Sequence, residues 1–237
     1  TSPVEAMLRD WEPLLIGQDP LKITAITDDI MNRSPWKGGA VLGTAVAAVD
    51  IALHDLTGKA WGVPIHTLLG GSRRDRIRVY SGGNFSTPET AAASALDIQS
   101  KGYAGMKGNP LEERTWPMDE RALTNSTEVV AAIRQAAGDD FDIMLDTHGS
   151  PHPELAIEYS RRVAPYRPLF LEEPCKVGSI EALLDISRKS PVPIATGEKI
   201  FDLPGFEPLI RSRAAAFLQP DIGHCFGLAN YMHIAKQ

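Results

Sequence analysis

Cysteine is scarce in this chain. Cys175 and Cys225 are the only two among 237 residues, so no disulfide framework organises the fold and both are expected as reduced thiols. Positive charge is also in deficit: 24 Lys and Arg stand against 30 Asp and Glu, a net charge of -6, which argues against nucleic acid as the main partner. No apolar run approaches the roughly 18 residues needed to cross a bilayer, so no membrane segment is expected. A Gly-rich dinucleotide fingerprint is missing as well, because Gly82-Gly83-Asn84 lacks the spacing. The opening Thr1-Ser2-Pro3 has neither an initiator Met nor a charged-then-apolar leader, so no signal peptide is visible and a cytoplasmic location is expected. What is present is ordinary for a globular chain, 43% hydrophobic and 23% charged residues, enough at this length to bury a core without staples.

Two patterns follow one another along the sequence. The first reads helical. Ser2-Pro3 sets a capping residue before a proline at the first helical position, and Val4 to Ile16 carries apolar residues at helical spacing. Asp19-Pro20 repeats that start signal before Leu21 to Met31. Ala40 to Ala60 is long, Ala-rich and free of proline, and Leu42, Val46, Val49, Leu53 and Leu56 recur along it at helical intervals, which predicts one buried stripe. Gly62-Val63-Pro64 ends it.

After Gly70-Gly71 short apolar runs alternate with helices. Strands are predicted at Ile77–Tyr80, Ala104–Lys107, Asp142–Leu145, Leu169–Leu171, Pro193–Ala195 and Ala216–Gln219. Helices are predicted at Pro88–Gln99, Glu128–Ala137, Glu154–Val163, Ile180–Arg188, Phe206–Arg213 and from Leu228 onward. Short runs of this kind are parallel strands covered on both faces by crossover helices, an α/β fold. Polar residues close several different strands: Asp146-Thr147-His148, Glu172-Glu173-Pro174, Gly197-Glu198 and Asp221. That placement favours a barrel over a doubly wound open sheet. Residues 1–71 are expected as one domain and 72–237 as the first six βα units of the barrel. Six units do not close a ring of eight, and an open parallel edge is an aggregation liability. About two further units are therefore expected beyond Gln237.

Asp146, Glu172 and Glu198 lie 26 residues apart in sequence, each at the same place in its unit. Three bare carboxylates converging on one mouth repel, and some would protonate. A hard divalent cation resolves this, and Mg²⁺ takes oxygen ligands while leaving positions open for substrate. Capping of the following helix explains any one acidic residue taken alone. Three at one phase favour a metal site.

The chain at this point resembles the enolase superfamily, in its mandelate racemase and muconate lactonizing branch. The resemblance rests on Asp50-Ile51-Ala52-Leu53-His54-Asp55 with Gly58-Lys59-Ala60, on Leu69-Gly70-Gly71, and on Leu171-Glu172-Glu173-Pro174. It continues through Thr196-Gly197-Glu198 and Gln219-Pro220-Asp221. Asp146-Thr147-His148-Gly149 and Pro165-Tyr166-Arg167-Pro168-Leu169-Phe170 look most like the acid-sugar dehydratases, the group of D-galactonate dehydratase. The resemblance implies a TIM-like (β/α)7β barrel under an α+β cap domain, both incomplete in this chain. The helical opening would be the later part of that cap.

The same resemblance implies Mg²⁺ on Asp146, Glu172 and Glu198, and abstraction of a proton α to a carboxylate with charge stabilisation of the enediolate. It implies a lyase, a hydro-lyase that turns an aldonic or aldaric acid into a 2-keto-3-deoxy acid, working as a homo-oligomer on a small-molecule substrate. His148 takes the place of the general acid that protonates the departing β-hydroxyl. Lys107 stands where racemases of the branch carry a Lys-x-Lys, and Asn109 replaces the second, basic lysine, which favours elimination over racemisation or epimerisation. Asn109 and Glu173 are the substrate-binding candidates. Asp221 matches the aspartate that orients a catalytic histidine on the seventh strand, and that histidine has no counterpart here. His54 and His66 read as structural, while His224 is a minor candidate for its closeness to Asp221. A truncated or non-catalytic metal-binding relative is the other class of reading. A polypeptide limited to these residues is expected to fold poorly and to lack turnover.

Overall fold

The structure is a computed structural model and describes residues 2–35, 37–111, 119–176 and 178–237. The chain divides into two compact units. One comprises Thr1–Asp75, Gly197–Pro208 and Gln219–Gln237, the other Arg76–Thr196 and Leu209–Leu218.

The first unit is built on helices α1 (Ser2–Leu15), α2 (Ile23–Arg33), α3 (Ala40–Trp61) and the short α4 (Ile65–Leu68). The stripe on α3 buries as its spacing requires: Leu42, Val46, Val49 and Leu53 pack with Trp11, Ile26 and Ile30 into one core. Leu56 departs from the expectation and is 51% exposed, because α1 and α2 cover only part of the α3 surface. Gly62 ends α3 in the left-handed region, with its N–H on the carbonyls of Gly58 and Lys59, the usual stop for a long helix. Among the described residues α3 alone is long and apolar enough to cross a membrane, and half of that stretch is buried in the protein. Its apolar content is that of a central core helix.

The second unit carries the sheet. Strands β1 (Tyr80–Gly82), β2 (Gly105–Gly108), β3 (Asp142–Asp146), β4 (Phe170–Glu172), β5 (Ile194–Thr196) and β6 (Phe217–Leu218) pair in chain order. Every pairing is parallel. Helices α5 (Pro88–Ser100), α6 (Glu120–Ala137), α7 (Pro153–Val163) and α8 (Ile180–Lys189) alternate with the strands; of α9 (Leu203–Ser212), the residues from Leu209 onward belong to this unit.

Register decides which side chains share a face. Lys107 pairs with Met144, Met144 with Phe170, Asp146 with Glu172, and Glu172 with Ala195. Met144, Phe170 and Ala195 pack as one buried cluster, and the Phe170 and Phe217 rings lie 5.2 Å apart. Two residues farther along the same face of β3 and β4 come Asp146 and Glu172. The opposite face carries Ile143, Leu145, Leu171 and Ile194, all buried.

Three elements begin three or more residues from where the sequence reading puts them; one is α9, which begins at Leu203 rather than Phe206. The first strand is Tyr80–Gly82 rather than Ile77–Tyr80, since its extent is set by hydrogen bonding to Gly105–Gly108 and not by its own apolar content; Ile77 and Val79 are exposed. Helix α6 begins at Glu120 rather than Glu128. Leu123 is the one large apolar residue in its first two turns, too little for a sequence pattern, and the helix start is capped by Asp119, whose carboxylate accepts the N–H groups of Arg121 and Ala122.

Candidate metal centre

The site is assembled by strand parity. Asp146 ends β3 and Glu172 ends β4, paired directly across the ladder, so their carboxylates leave the same face about one strand spacing apart, ~4.8 Å. Glu198 follows β5 by two residues. It belongs to the first unit. At the spacing of Asp146 and Glu172 a pair of charged carboxylates repels by roughly 3–4 kcal/mol at an effective dielectric near 20. Asp146 is 5% and Glu172 2% exposed, so water offers little screening there. The cluster requires positive charge.

Lys107 brings part of it. Its Nζ donates to both Glu172 oxygens at 2.9 and 2.8 Å and lies 3.0 Å from Asp146 Oδ2. Burial works against the ammonium, but hydrogen bonding and attraction from Glu172 and Asp146 outweigh it and raise the Lys107 pKa. The Lys199 ammonium is 3.1 Å from Glu198. The single ammonium of Lys107 between Asp146 and Glu172 leaves net negative charge and a surplus of hard oxygen donors, the donor type that suits Mg²⁺ or another hard divalent cation.

His148 sits two residues past Asp146 with its side chain half exposed, Nε2 3.5 Å from Asp146 Oδ2. Its backbone N–H donates to Asp146 Oδ1 at 3.1 Å, and its φ of +53° is left-handed. Glu173, one residue past Glu172, also adopts a left-handed φ, +47°. Such conformations cost non-glycine residues about 1–3 kcal/mol and concentrate at functional sites.

Parity separates the two adjacent glutamates. Glu173 turns to the other face, is fully buried, and accepts a 2.7 Å hydrogen bond from the Thr196 hydroxyl. Thr147 braces the same layer, its hydroxyl donating to the carbonyls of Glu172 and Glu173 at 3.0 and 2.8 Å. Asn109, just beyond β2, uses its side-chain oxygen to accept the Leu111 N–H at 3.0 Å. Asp221 belongs to the first unit. Its carboxylate accepts the Gly223 N–H at 2.7 Å and lies 3.8 Å from His224 Nε2. Thr147 and Thr196 stand inside the sequence motifs without a role of their own; their place directly after a strand-end carboxylate and directly before Gly197-Glu198 was the available signal.

Two family descriptions match. The mandelate racemase/muconate lactonizing enzyme N-terminal domain covers residues 3–70, and the enolase C-terminal domain-like family covers residues 90–237. The chain belongs to the enolase superfamily. Within its mandelate racemase and muconate lactonizing branch, similar curated proteins are D-galactonate dehydratases. The one from Ralstonia nicotianae is 35% identical over 232 residues, and that from Pectobacterium atrosepticum 34%. Each alignment covers 98% of this chain and 61% of the relative, so the chain spans about three-fifths of their length. Among solved structures, an enolase superfamily member from Salmonella Typhimurium matches with a TM-score of 0.93 at 29% identity, covering 100% of this chain and 66% of that one. An enolase from Agrobacterium radiobacter, bound to Na and L-malate with an ordered active site, matches with a TM-score of 0.91 at 28% identity over 99% of this chain and 60% of that one. The six-stranded parallel sheet and the helical unit are thus parts of the superfamily's α/β barrel and its N-terminal domain.

Both cysteines are free and buried, and burial pushes each thiol up to about 11. Neither has the low pKa of a nucleophilic cysteine.

Proposed function

We propose that the protein is a Mg²⁺-dependent hydro-lyase that dehydrates an aldonic or aldaric acid to a 2-keto-3-deoxy acid. The observation that carries this reading is the half-exposed imidazole of His148, 3.5 Å from the buried Asp146, which pairs across the ladder with the buried Glu172. A proton donor beside a hard-cation site matches elimination from a hydroxy acid. The similarity to D-galactonate dehydratases and to an enolase that binds L-malate supports the substrate class.

Asp146, Glu172 and Glu198 would hold the metal, which supplies positive charge opposite the carboxylate oxygens where negative charge builds as the α-proton leaves. Lys107 adds a fixed ammonium on the substrate side, with Asn109 beyond it. His148 gives its proton to the β-hydroxyl, which departs as water while the Cα–Cβ double bond forms; tautomerisation yields the 2-keto acid. Asp221 orients the base. Glu173 acts from the other face of the sheet, holding Thr196. Racemisation needs a second base, and Asn109 offers none. On this reading the protein is a cytoplasmic homo-oligomer acting on small molecules, with no nucleic-acid or membrane partner.

The test is a panel of aldonic and aldaric acids incubated with the full encoded chain and Mg²⁺, read as 2-keto acid by its semicarbazone. One or a few acids should yield product; none doing so while Mg²⁺ binds would refute the proposal. A second expectation concerns the ammonium. Lys107→Met removes the cation that shares its oxygens with the metal, so Mg²⁺ should bind more tightly by calorimetry, while the metal-free protein melts several degrees lower for want of a counter-charge, a loss on the order of 1–3 kcal/mol. Weaker binding by the variant would show that Lys107 and the metal do not compete.

A further inference from the structure

Asp50 is a carboxylate with no place in the metal site, yet it is 2% exposed, near the middle of α3. Buried aspartates are rare unless they are paired or accept hydrogen bonds. Its Oδ2 accepts the backbone N–H of Leu228 at 2.6 Å, the first residue of helix α10 (Leu228–Ala235). The Ala229 N–H and the His54 imidazole also favour its charged form, against burial, which raises its pKa; His54 Nδ1 lies 3.4 Å from Asp50 Oδ2. The local cap position of α10 is Gly227, which has no side chain to accept an N–H. Residue 50 therefore caps a helix 178 positions away.

The approach is close enough to dictate sequence. Gly227 has φ +93°, and a Cβ there would fall 2.4 Å from Asp50 Oδ2. About two turns before Asp50 on the same helix, a Cβ on Gly43 would fall 2.4 Å from the carbonyl oxygen of His224. The Thr44 hydroxyl meets His224 Nδ1 at 2.7 Å. Between these contacts runs the turn that begins at Asp221, whose carbonyl accepts the N–H groups of His224 and Cys225 at 3.0 and 2.8 Å. Asn230, within α10, donates to the Cys225 carbonyl at 2.9 Å. The turn is thus held to α3 at His224 and at Leu228.

We propose that Asp50 is a positioning residue for Asp221: by capping α10 in trans, with Thr44 as a second tether, it fixes the 221–227 turn and so sets where the Asp221 carboxylate stands. The catalytic consequence rests on the function proposed above; the anchoring does not.

The experiment compares Asp50→Ala and Asp50→Asn with the wild type by amide hydrogen exchange and by kinetics. In Asp50→Ala the Leu228 and Ala229 amides should exchange at least roughly fivefold faster, the local opening expected from losing one N-cap. Asp50→Asn keeps an acceptor oxygen and should stay close to wild type. In an active enzyme, Asp50→Ala should lower kcat by on the order of tenfold with KM and Mg²⁺ affinity nearly unchanged, the signature of a misplaced group, and Asp50→Asn should recover most of it. Equal protection in all three proteins would overturn the proposal. So would lost protection with kcat intact, or Mg²⁺ affinity falling in step with kcat. If Asp50→Ala does not fold, Thr44→Val decides: it should speed exchange at His224 and Cys225 and lower kcat, and no change in either would overturn the tether. Absence of product from the wild type on every acid would sink the proposed function, while the exchange data would still decide the anchoring.

Discussion

Glu172→Gln is expected to lose Mg²⁺ affinity by more than the roughly 10–100-fold that removal of an outer-shell partner costs, and to lose turnover with it. The substitution keeps the side chain's size and removes the charge. Glu172 is the strand-end carboxylate flanked by Asp146 across the ladder and held by Lys107, so it contributes to both the repulsion and the neutralisation of the cluster. Glu173→Gln is the control that gives the result its meaning. The two glutamates are adjacent in sequence, but only one leaves the face that carries Asp146. Glu173→Gln should leave Mg²⁺ affinity within a few-fold of wild type and weaken the brace to Thr196, a side-chain hydrogen bond being worth on the order of 1 kcal/mol. Calorimetric titration with Mg²⁺ distinguishes the two. Equal losses would mean that the metal is held by both glutamates or by neither.

His148→Asn should lower dehydration by on the order of 10²–10⁴-fold, the range for a positioned proton donor. Asparagine is the informative replacement for a backbone reason. His148 stands at φ +53°, a region that asparagine enters with little strain and alanine does not, so the turn that carries Gly149 is preserved. Exchange of the substrate α-proton with deuterated solvent should survive better than dehydration, because a separate base removes that proton and the histidine acts only on the leaving hydroxyl. Loss of both together, with metal binding intact, would assign His148 to the base instead. Unchanged dehydration would remove it from the mechanism.

The parts legible in the sequence are those fixed by local pattern. The apolar runs around Asp142–Asp146, Phe170–Glu172 and Ile194–Thr196 lie at the predicted places to within a residue, because buried parallel strands must be apolar on both faces. The even spacing of the acidic residues pointed to the strand ends where Asp146 and Glu172 pair. What was not legible depends on partners. Leu56 fits the α3 stripe and is still exposed, since periodicity reports a face and not how much of it neighbouring helices cover. The opening of α6 has Leu123 as its one large apolar residue, too little for a periodic signal, and is capped by Asp119. The link from Asp50 to Leu228 joins two stretches with no shared pattern. The left-handed turns at His148 and Glu173 are chosen by tertiary structure against the preference of both residues.

The parity of β4 also bears on folding fidelity. Leu169-Phe170-Leu171-Glu172-Glu173 reads nearly the same after a slip of one residue: apolar neighbours stay apolar, and a glutamate still ends the strand. Polarity, which fixes register in most half-buried strands, discriminates little here. Shape does. Phe170 packs with Met144 and the small Ala195 and stacks obliquely on Phe217, and a slip would put a leucine in that place and turn the ring to the other face. The choice between two chemically equivalent carboxylates therefore falls to an aromatic side chain two residues away, and a smaller residue at 170 would blur the identity of the site before it cost the protein much of its core.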